Sequence, residues 1–207
     1  KKYKVVQMKP VIFFKNEDPH LLMNKPPPFG FFLKGETYSH ILSFHKNATV
    51  PEKFYNKDCA VVGNSGALRL KEYSYDIDSH ETVFRVNDFK IKKFSGKKTT
   101  YNLYASPTYK YLKGNYTVLS LCNLPWVYSC QNILHSKKYT NIHMINPRFY
   151  EHVHNESGRK KKIPLTGIVA IHVALEMCES VSLYGFTKNV NSDDCFKYCS
   201  ACSRASN

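Results

Sequence analysis

Three short stretches carry side chains that could hold an anion: Gly63-Asn64-Ser65-Gly66, Arg85-Val86-Asn87 and Leu165-Thr166-Gly167. Glycines in the first let a backbone approach a ligand closely, while Asn64 and Ser65 add donors and acceptors. Asn87 offers an amide at the end of an apolar run. Thr166 is expected to cap a helix whose first N–H groups attract phosphate or carboxylate. The first turn is G-x-x-G, without the third glycine of a dinucleotide fingerprint, and it lacks the Gly-Lys-Ser/Thr ending of a P-loop. Taken singly, Asn64 reads equally well as a turn residue and Thr166 as a cap with no ligand. Their order within one chain is what points to a shared site.

The elements around them follow a regular alternation. Cys59–Val62 reads as a buried strand running into the Gly63–Gly66 turn, with a weak helical stretch from Ala67. Thr82–Asn87, Thr99–Ala105, Tyr116–Cys122 and Ile142–Ile145 read as further strands. Ile168–Cys178 reads as a helix, apolar nearly all round and therefore expected to be buried on every side. Val181–Tyr184 is the closing strand, ended by Gly185. Strands alternating with helices predict an α/β domain with a mainly parallel sheet, whose ligands sit beyond the carboxyl ends of the strands. Residues 1–57, broken by Pro26-Pro27-Pro28, read as an irregular lead-in packing on the core made by 58–207.

The 207 residues carry 30 Lys+Arg against 16 Asp+Glu, a net charge of +14 that favours anionic partners without choosing among them. The lysines are scattered, no run reaches the length of a nucleic-acid tail, and aromatics do not alternate with basic residues on one face, so nucleic acid is not expected. No apolar stretch approaches a membrane span. The opening Lys1-Lys2-Tyr3 has no signal-peptide pattern and no Met, as expected of a trimmed form. Seven cysteines (Cys59, Cys122, Cys130, Cys178, Cys195, Cys199 and Cys202) and three sequons at Asn47, Asn115 and Asn155 lean toward a secretory compartment, with disulfides and N-glycans. Cys195, Cys199 and Cys202 have no clear fourth ligand nearby, so no metal is expected. Cys122 and Cys130 could pair, judged by proximity in sequence.

The stretch "CAVVGNSGALRL", continued by "YDIDSHETVFRVN", resembles the large sialylmotif of the eukaryotic sialyltransferases, glycosyltransferase family 29. Cys59, Gly63, Asn64, Gly66, Leu68, Asp78, His80, Arg85, Asn87 and Phe94 fall in register, and Lys98-Thr99-Thr100 is similar to the motif's close. "NPRFYEHV" (146–153), "GRKKKIPLTG" (158–167) and "ALEMCESVSLYGF" (174–186) resemble the small sialylmotif. The resemblance spans 59–186.

That resemblance implies a modified GT-A-like (Rossmann-like) domain over 58–207, incomplete at its C-terminus. It implies metal-independent transfer of sialic acid from CMP-sialic acid, with inversion, to a hydroxyl of a glycoprotein or glycolipid glycan. No cofactor beyond that donor is implied. The full-length form is expected in the Golgi lumen as a type II membrane protein whose anchor is absent here. By position, Asn64, Ser65, Gly66 and Asn87 would hold the CMP moiety, Thr166 and Gly167 would meet the donor, and Cys59 would pair with Cys178. Three departures stand out: the shortened "SGKKTT", Asp88-Phe89 after Asn87, and Leu165 in place of the serine before Thr166. "DDCFKYC" (193–199), with Phe196 and Tyr198 as its aromatics, is a poor match to the family's third motif. The His-x4-Glu motif that supplies the general base does not occur before Asn207, and His135, His143, His152, His154 and His172 are not credible replacements by position. The alternative is a catalytically silent relative that binds a nucleotide or sugar.

Overall fold

The computed structural model of the protein describes residues 56–69, 71–87, 93–105, 114–121, 142–157 and 163–186. Six strands form one parallel sheet: β1 (Asn56–Val62), β2 (Thr82–Val86), β3 (Tyr101–Tyr104), β4 (Thr117–Ser120), β5 (Ile142–Met144) and β6 (Cys178–Tyr184). Their order is β5-β4-β3-β2-β1-β6, every neighbouring pair being parallel. The chain thus steps outward from β1 to β5, then returns to the other side of β1. That reversal is where open α/β sheets gather ligands.

Parallel strands covered on both faces read as continuous apolar runs, and β1 and β2 do so here. On one face Cys59, Val61, Phe84, Val86, Leu103 and Leu119 pack against α2 (Pro147–Glu156) and α3 (Thr166–Met177) through Phe149, Tyr150, Val153, Val169 and Val173. Each such large side chain, fully buried, contributes about 1.5–3 kcal/mol. The other face is smaller: Ala60, Val62 and Val83 meet Leu68 and Ile77, the latter from α1 (Ser74–Ser79). Cys59 and Cys178 form a disulfide that closes a 119-residue separation, worth roughly 5 kcal/mol on the chain-entropy model.

The α/β class, the parallel sheet and all six strand positions agree with expectation, with β6 beginning three residues earlier than its apolar core suggests. Three readings need correction. The stretch from Ala67 is only a 3-10 turn, Gly66–Arg69, and the helix that follows starts at Ser74. The helix α2 has no counterpart in the sequence reading, although Asn146 caps it through Oδ1 to the Arg148 N–H and Pro147 opens it. The helix α3 is not buried on every side: Val169, Ala170, Val173, Ala174 and Met177 face the sheet, while Ile168 and Leu175 are 38% and 58% exposed. Residues 1–55 of the lead-in, and the cysteines 122, 130, 195, 199 and 202, lie outside the described residues. No helix among the described residues is long and apolar enough to cross a membrane.

Candidate functional site

The turn after β1 is fixed by backbone contacts to the end of β6. Gly63 N–H donates to Tyr184 O at 2.7 Å and Ser65 N–H to Gly185 O at 3.1 Å. The approach demands glycine: a Cβ on Gly63 would stand 2.4 Å from Gly185 O. Gly185 itself has φ +72, in the left-handed region where glycine carries no steric cost. Ser65 Oγ accepts from Ala67 N–H at 3.3 Å, so this hydroxyl caps the 3-10 turn. Asn64 Nδ2 donates to Val86 O at 3.0 Å, which latches the turn to the end of β2, and its Oδ1 is buried without a hydrogen-bond partner.

Asn87 follows β2 directly and has φ +53, a strained backbone for a residue other than glycine, though Asn tolerates it better than most. Its N–H donates to Leu103 O at 2.7 Å and its Oδ1 accepts from Ala105 N–H at 3.2 Å. Strain held in place by surrounding bonds is characteristic of ligand-facing positions.

The third element is the start of α3. The cap residue is Leu165, with extended backbone and no side-chain cap; Thr166 is the first helical residue and not the cap, which corrects the sequence expectation. The reason is local: leucine at the cap has no oxygen to offer. Ile168 N–H closes on Leu165 O at 2.9 Å and Val169 N–H on the same carbonyl at 3.2 Å, while the N–H groups of Thr166 and Gly167 have no helix carbonyl within reach. Such groups, at the positive end of a helix dipole, favour an anion.

The Phe186 ring brings the turn and the helix tip together. A Cβ on Gly63 would be 3.2 Å from Phe186 Cε2, and one on Gly167 would be 3.0 Å from Phe186 Cε1. One ring's width thus separates the β1 turn from the tip of α3, with Asn87 joined to the turn through the Asn64–Val86 bond. The sequence-predicted site residues thus fall on three elements: Asn64, Ser65 and Gly66 on the turn after β1, Asn87 directly after β2, and Thr166 and Gly167 at the tip of α3. Sequence reading missed Phe186 as the spacer and Asn102, whose Nδ2 donates to Asn87 O.

Other predicted residues fall elsewhere. Asp78, His80 and Arg85, in register with the large sialylmotif, bond to the segment before β3 and, for His80, to Asp58 and Tyr184; Arg85 itself stands near the carboxyl end of β2, opposite Val62 and Asn102. Asp78 accepts from the Lys97 and Lys98 N–H groups, each at 2.9 Å, and Lys98 Nζ donates to His80 O. The buried Arg85 guanidinium donates to Ser95 O at 2.7 Å and to Lys98 O at 3.0 Å. His80 Nδ1 lies 2.8 Å from an Asp58 carboxylate oxygen, which leaves Nε2 for the Tyr184 hydroxyl at 2.9 Å. Burial, then the Asp76 and Asp58 carboxylates, push the Tyr184 hydroxyl up and keep it neutral. A groove of about 530 Å³ lined by Glu72, Ser74, Tyr75, Asp78, Lys93, Gly96 and Lys97 lies beside this cluster. Its Asp78 carboxylate is already spent on the chain's own backbone.

His143 lies in β5, where burial lowers its pKa, and His172 lies in the second turn of α3, where burial and then His152 lower its pKa. Among the described residues no histidine sits on the loops after β1 or β2 or at the tip of α3. Nor do three His, Cys, Asp or Glu side chains converge there as a metal-ligand set. The sequon residues Asn115 and Asn155 are exposed, and Asn47 lies outside the described residues.

The sequence profile of Glycosyltransferase family 29 (sialyltransferase) matches residues 13–199, nearly the whole chain. The chain belongs to glycosyltransferase family 29. Among its relatives, the CMP-N-acetylneuraminate-beta-galactosamide-alpha-2,3-sialyltransferase 1 of Gallus gallus is 31% identical over 155 residues, covering 64% of this chain and 45% of that protein. The sialyltransferase-like protein 1 of Arabidopsis thaliana is 32% identical over 158 residues, 69% of this chain and 31% of its own length. The chain therefore spans less than half the length of these relatives. A mammalian sialyltransferase crystal structure superposes with a TM-score of 0.72 at 22% identity, over 92% of this chain and 79% of that one, and so shares the fold. The family match begins at residue 13, inside the segment read from sequence as a lead-in to a domain at 58.

Proposed function

We propose that this family 29 protein transfers sialic acid from CMP-sialic acid to a glycan hydroxyl, with inversion and without a metal. The observation that carries the reading is the meeting of the β1 turn and the uncapped tip of α3 across one aromatic ring, with the left-handed Asn87 tied to that turn through the Asn64–Val86 bond. Asn64, Ser65 and Gly66 would hold the CMP moiety together with Asn87. The N–H groups of Thr166 and Gly167 would receive a negative group of the donor.

The chemistry asks two things of the protein. Negative charge builds on the phosphate of the leaving CMP, and fixed donors already aimed at it stabilise that charge at little reorganisation cost. The acceptor hydroxyl must also lose a proton, for which a positioned base supplies typically ~10²–10⁴-fold. The first requirement suits the Asn amides and the helix tip. The base would come from outside the described residues. Golgi residence with an N-terminal anchor belongs to this same reading, as do donor and acceptor as the protein's partners.

Relatives are named for β-galactosamide acceptors and α-2,3 linkage, so a β-galactoside is the first acceptor to offer. The test is incubation of the full-length protein with CMP-sialic acid and that acceptor, in EDTA, with calorimetric titration of CMP alongside. Transfer is expected and EDTA should not diminish it. CMP binding without transfer to any of a range of acceptors would leave a silent nucleotide-binding relative, and loss of both would end the reading.

A further inference from the structure

At the end of β2 the ladder to β3 is completed by side chains. In a parallel pair, a residue whose N–H has reached a partner carbonyl next offers its own carbonyl to the N–H two residues further along the partner. Asn87 N–H donates to Leu103 O, so the donor in line for its carbonyl is Ala105 N–H. That N–H goes instead to Asn87 Oδ1 at 3.2 Å. With φ +53, Asn87 turns its carbonyl out of the ladder, and its side chain takes the carbonyl's place. The displaced carbonyl accepts from Asn102 Nδ2 at 3.3 Å.

Asn102 lies in mid-strand on β3, in register with Arg85, and is fully buried. Its own Oδ1 has no hydrogen-bond partner. An amide with an orphaned acceptor is a poor occupant of a buried strand, where an aliphatic side chain packs at no such cost. What Asn102 gains for the fold is the bond that satisfies the Asn87 carbonyl. On the β1 side, Asn64 Nδ2 does the equivalent for Val86 O. Two amides, one from the turn after β1 and one from β3, therefore hold the two successive carbonyls at the tip of β2.

We infer that Asn102 is a positioning residue that locks Asn87 in its left-handed backbone and thereby presents the Asn87 amide to the ligand. Because Asn87 Oδ1 is spent on Ala105, the part of that amide left over is Nδ2. A donor there suits an oxygen of a phosphate or ribose. This ligand-facing half of the inference rests on the crevice being the nucleotide site.

The test compares full-length wild type, Asn102→Leu, Asn87→Gly and the double variant by amide hydrogen exchange without ligand and by CMP titration. In Asn102→Leu, exchange at Ala105 should quicken about tenfold while Thr117–Ser120 in β4 stays unchanged. The CMP dissociation constant should rise about tenfold. In the Asn87→Gly background the same Asn102→Leu change should alter neither, because residues acting through one another are not additive. Unchanged exchange at Ala105 would overturn the inference. So would faster exchange across the whole sheet, or equal weakening of CMP in both backgrounds. A wild type that binds no CMP removes the proposed function, and the exchange comparison still decides what Asn102 does to Asn87.

Discussion

Two polar clusters around the sheet use their groups in opposite ways. In the one around the segment before β3, Asp78 turns on the backbone of Lys97 and Lys98, Arg85 on that of Ser95 and Lys98, and His80 is held between the Asp58 and Tyr184 side chains. The carboxyl ends are joined by bonds of neutral groups, through Gly63, Ser65 and the amides of Asn64 and Asn87. An Asn64 acceptor and the first N–H groups of α3 remain unspent there. The groove of about 530 Å³ belongs to the first cluster. Capacity left over for a ligand, and not the size of the hollow, separates a site from a brace.

That contrast can be broken by substitution. Removing the Cys59–Cys178 disulfide as a paired Ala variant should cost about 3–5 kcal/mol in urea unfolding. The CMP dissociation constant of the remaining folded protein should hold within about twofold, since Cys178 opens β6 at the end remote from the turn. Arg85→Met should cost about 2–4 kcal/mol, because it takes the guanidinium from the buried Ser95 carbonyl and the part-buried Lys98 carbonyl, and again spare CMP affinity. A large loss of CMP binding in either variant would mean that the bracing contacts and the site are not separate. Gly63→Ala sharpens the contrast from the other side. Its Cβ must displace the Gly185 carbonyl, at about 1–3 kcal/mol by differential unfolding and with CMP binding lost by about tenfold or more.

The smallest effect concerns His143, whose pKa burial depresses. A histidine with a folded pKa below its unfolded value of about 6.5 binds more protons when unfolded. The folded state is therefore penalised as pH falls below that value, and the penalty is absent above it. His143→Leu should lessen the loss of Tm between neutral pH and pH 5.5 by about 1–2 °C. An unchanged acid slope would show that His143 does not titrate with folding.

The strands were legible because burial on both sheet faces leaves little room for polar residues, as in Cys59–Val62. The carboxyl-end loops were legible for a related reason: glycine and asparagine punctuate them. The helix α2 carried an Asn-Pro start that was available and overlooked, since Phe149, Tyr150 and Val153 alone make a short apolar stripe. The exposure of Ile168 and Leu175 was not legible, because composition does not tell which face of an apolar helix a sheet will cover. Nor was the role of Asn102. Its meaning depends on Asn87 leaving the ladder, a backbone event with no trace in residue type at position 102. Asp78, His80 and Arg85 belong to the same motif as Asn64 and Asn87, yet a motif records what must be kept and not which cluster needs it.

The Phe186 ring lies in contact with both Gly63 and Gly167. Neither glycine has a side chain to yield, so the spacing between the β1 turn and the tip of α3 is set by the breadth of that ring, from Cε1 to Cε2. A smaller residue at 186 would let the turn and the helix tip draw together, and a bulkier one would wedge them apart, so a single side chain calibrates how far apart two distant stretches of chain stand.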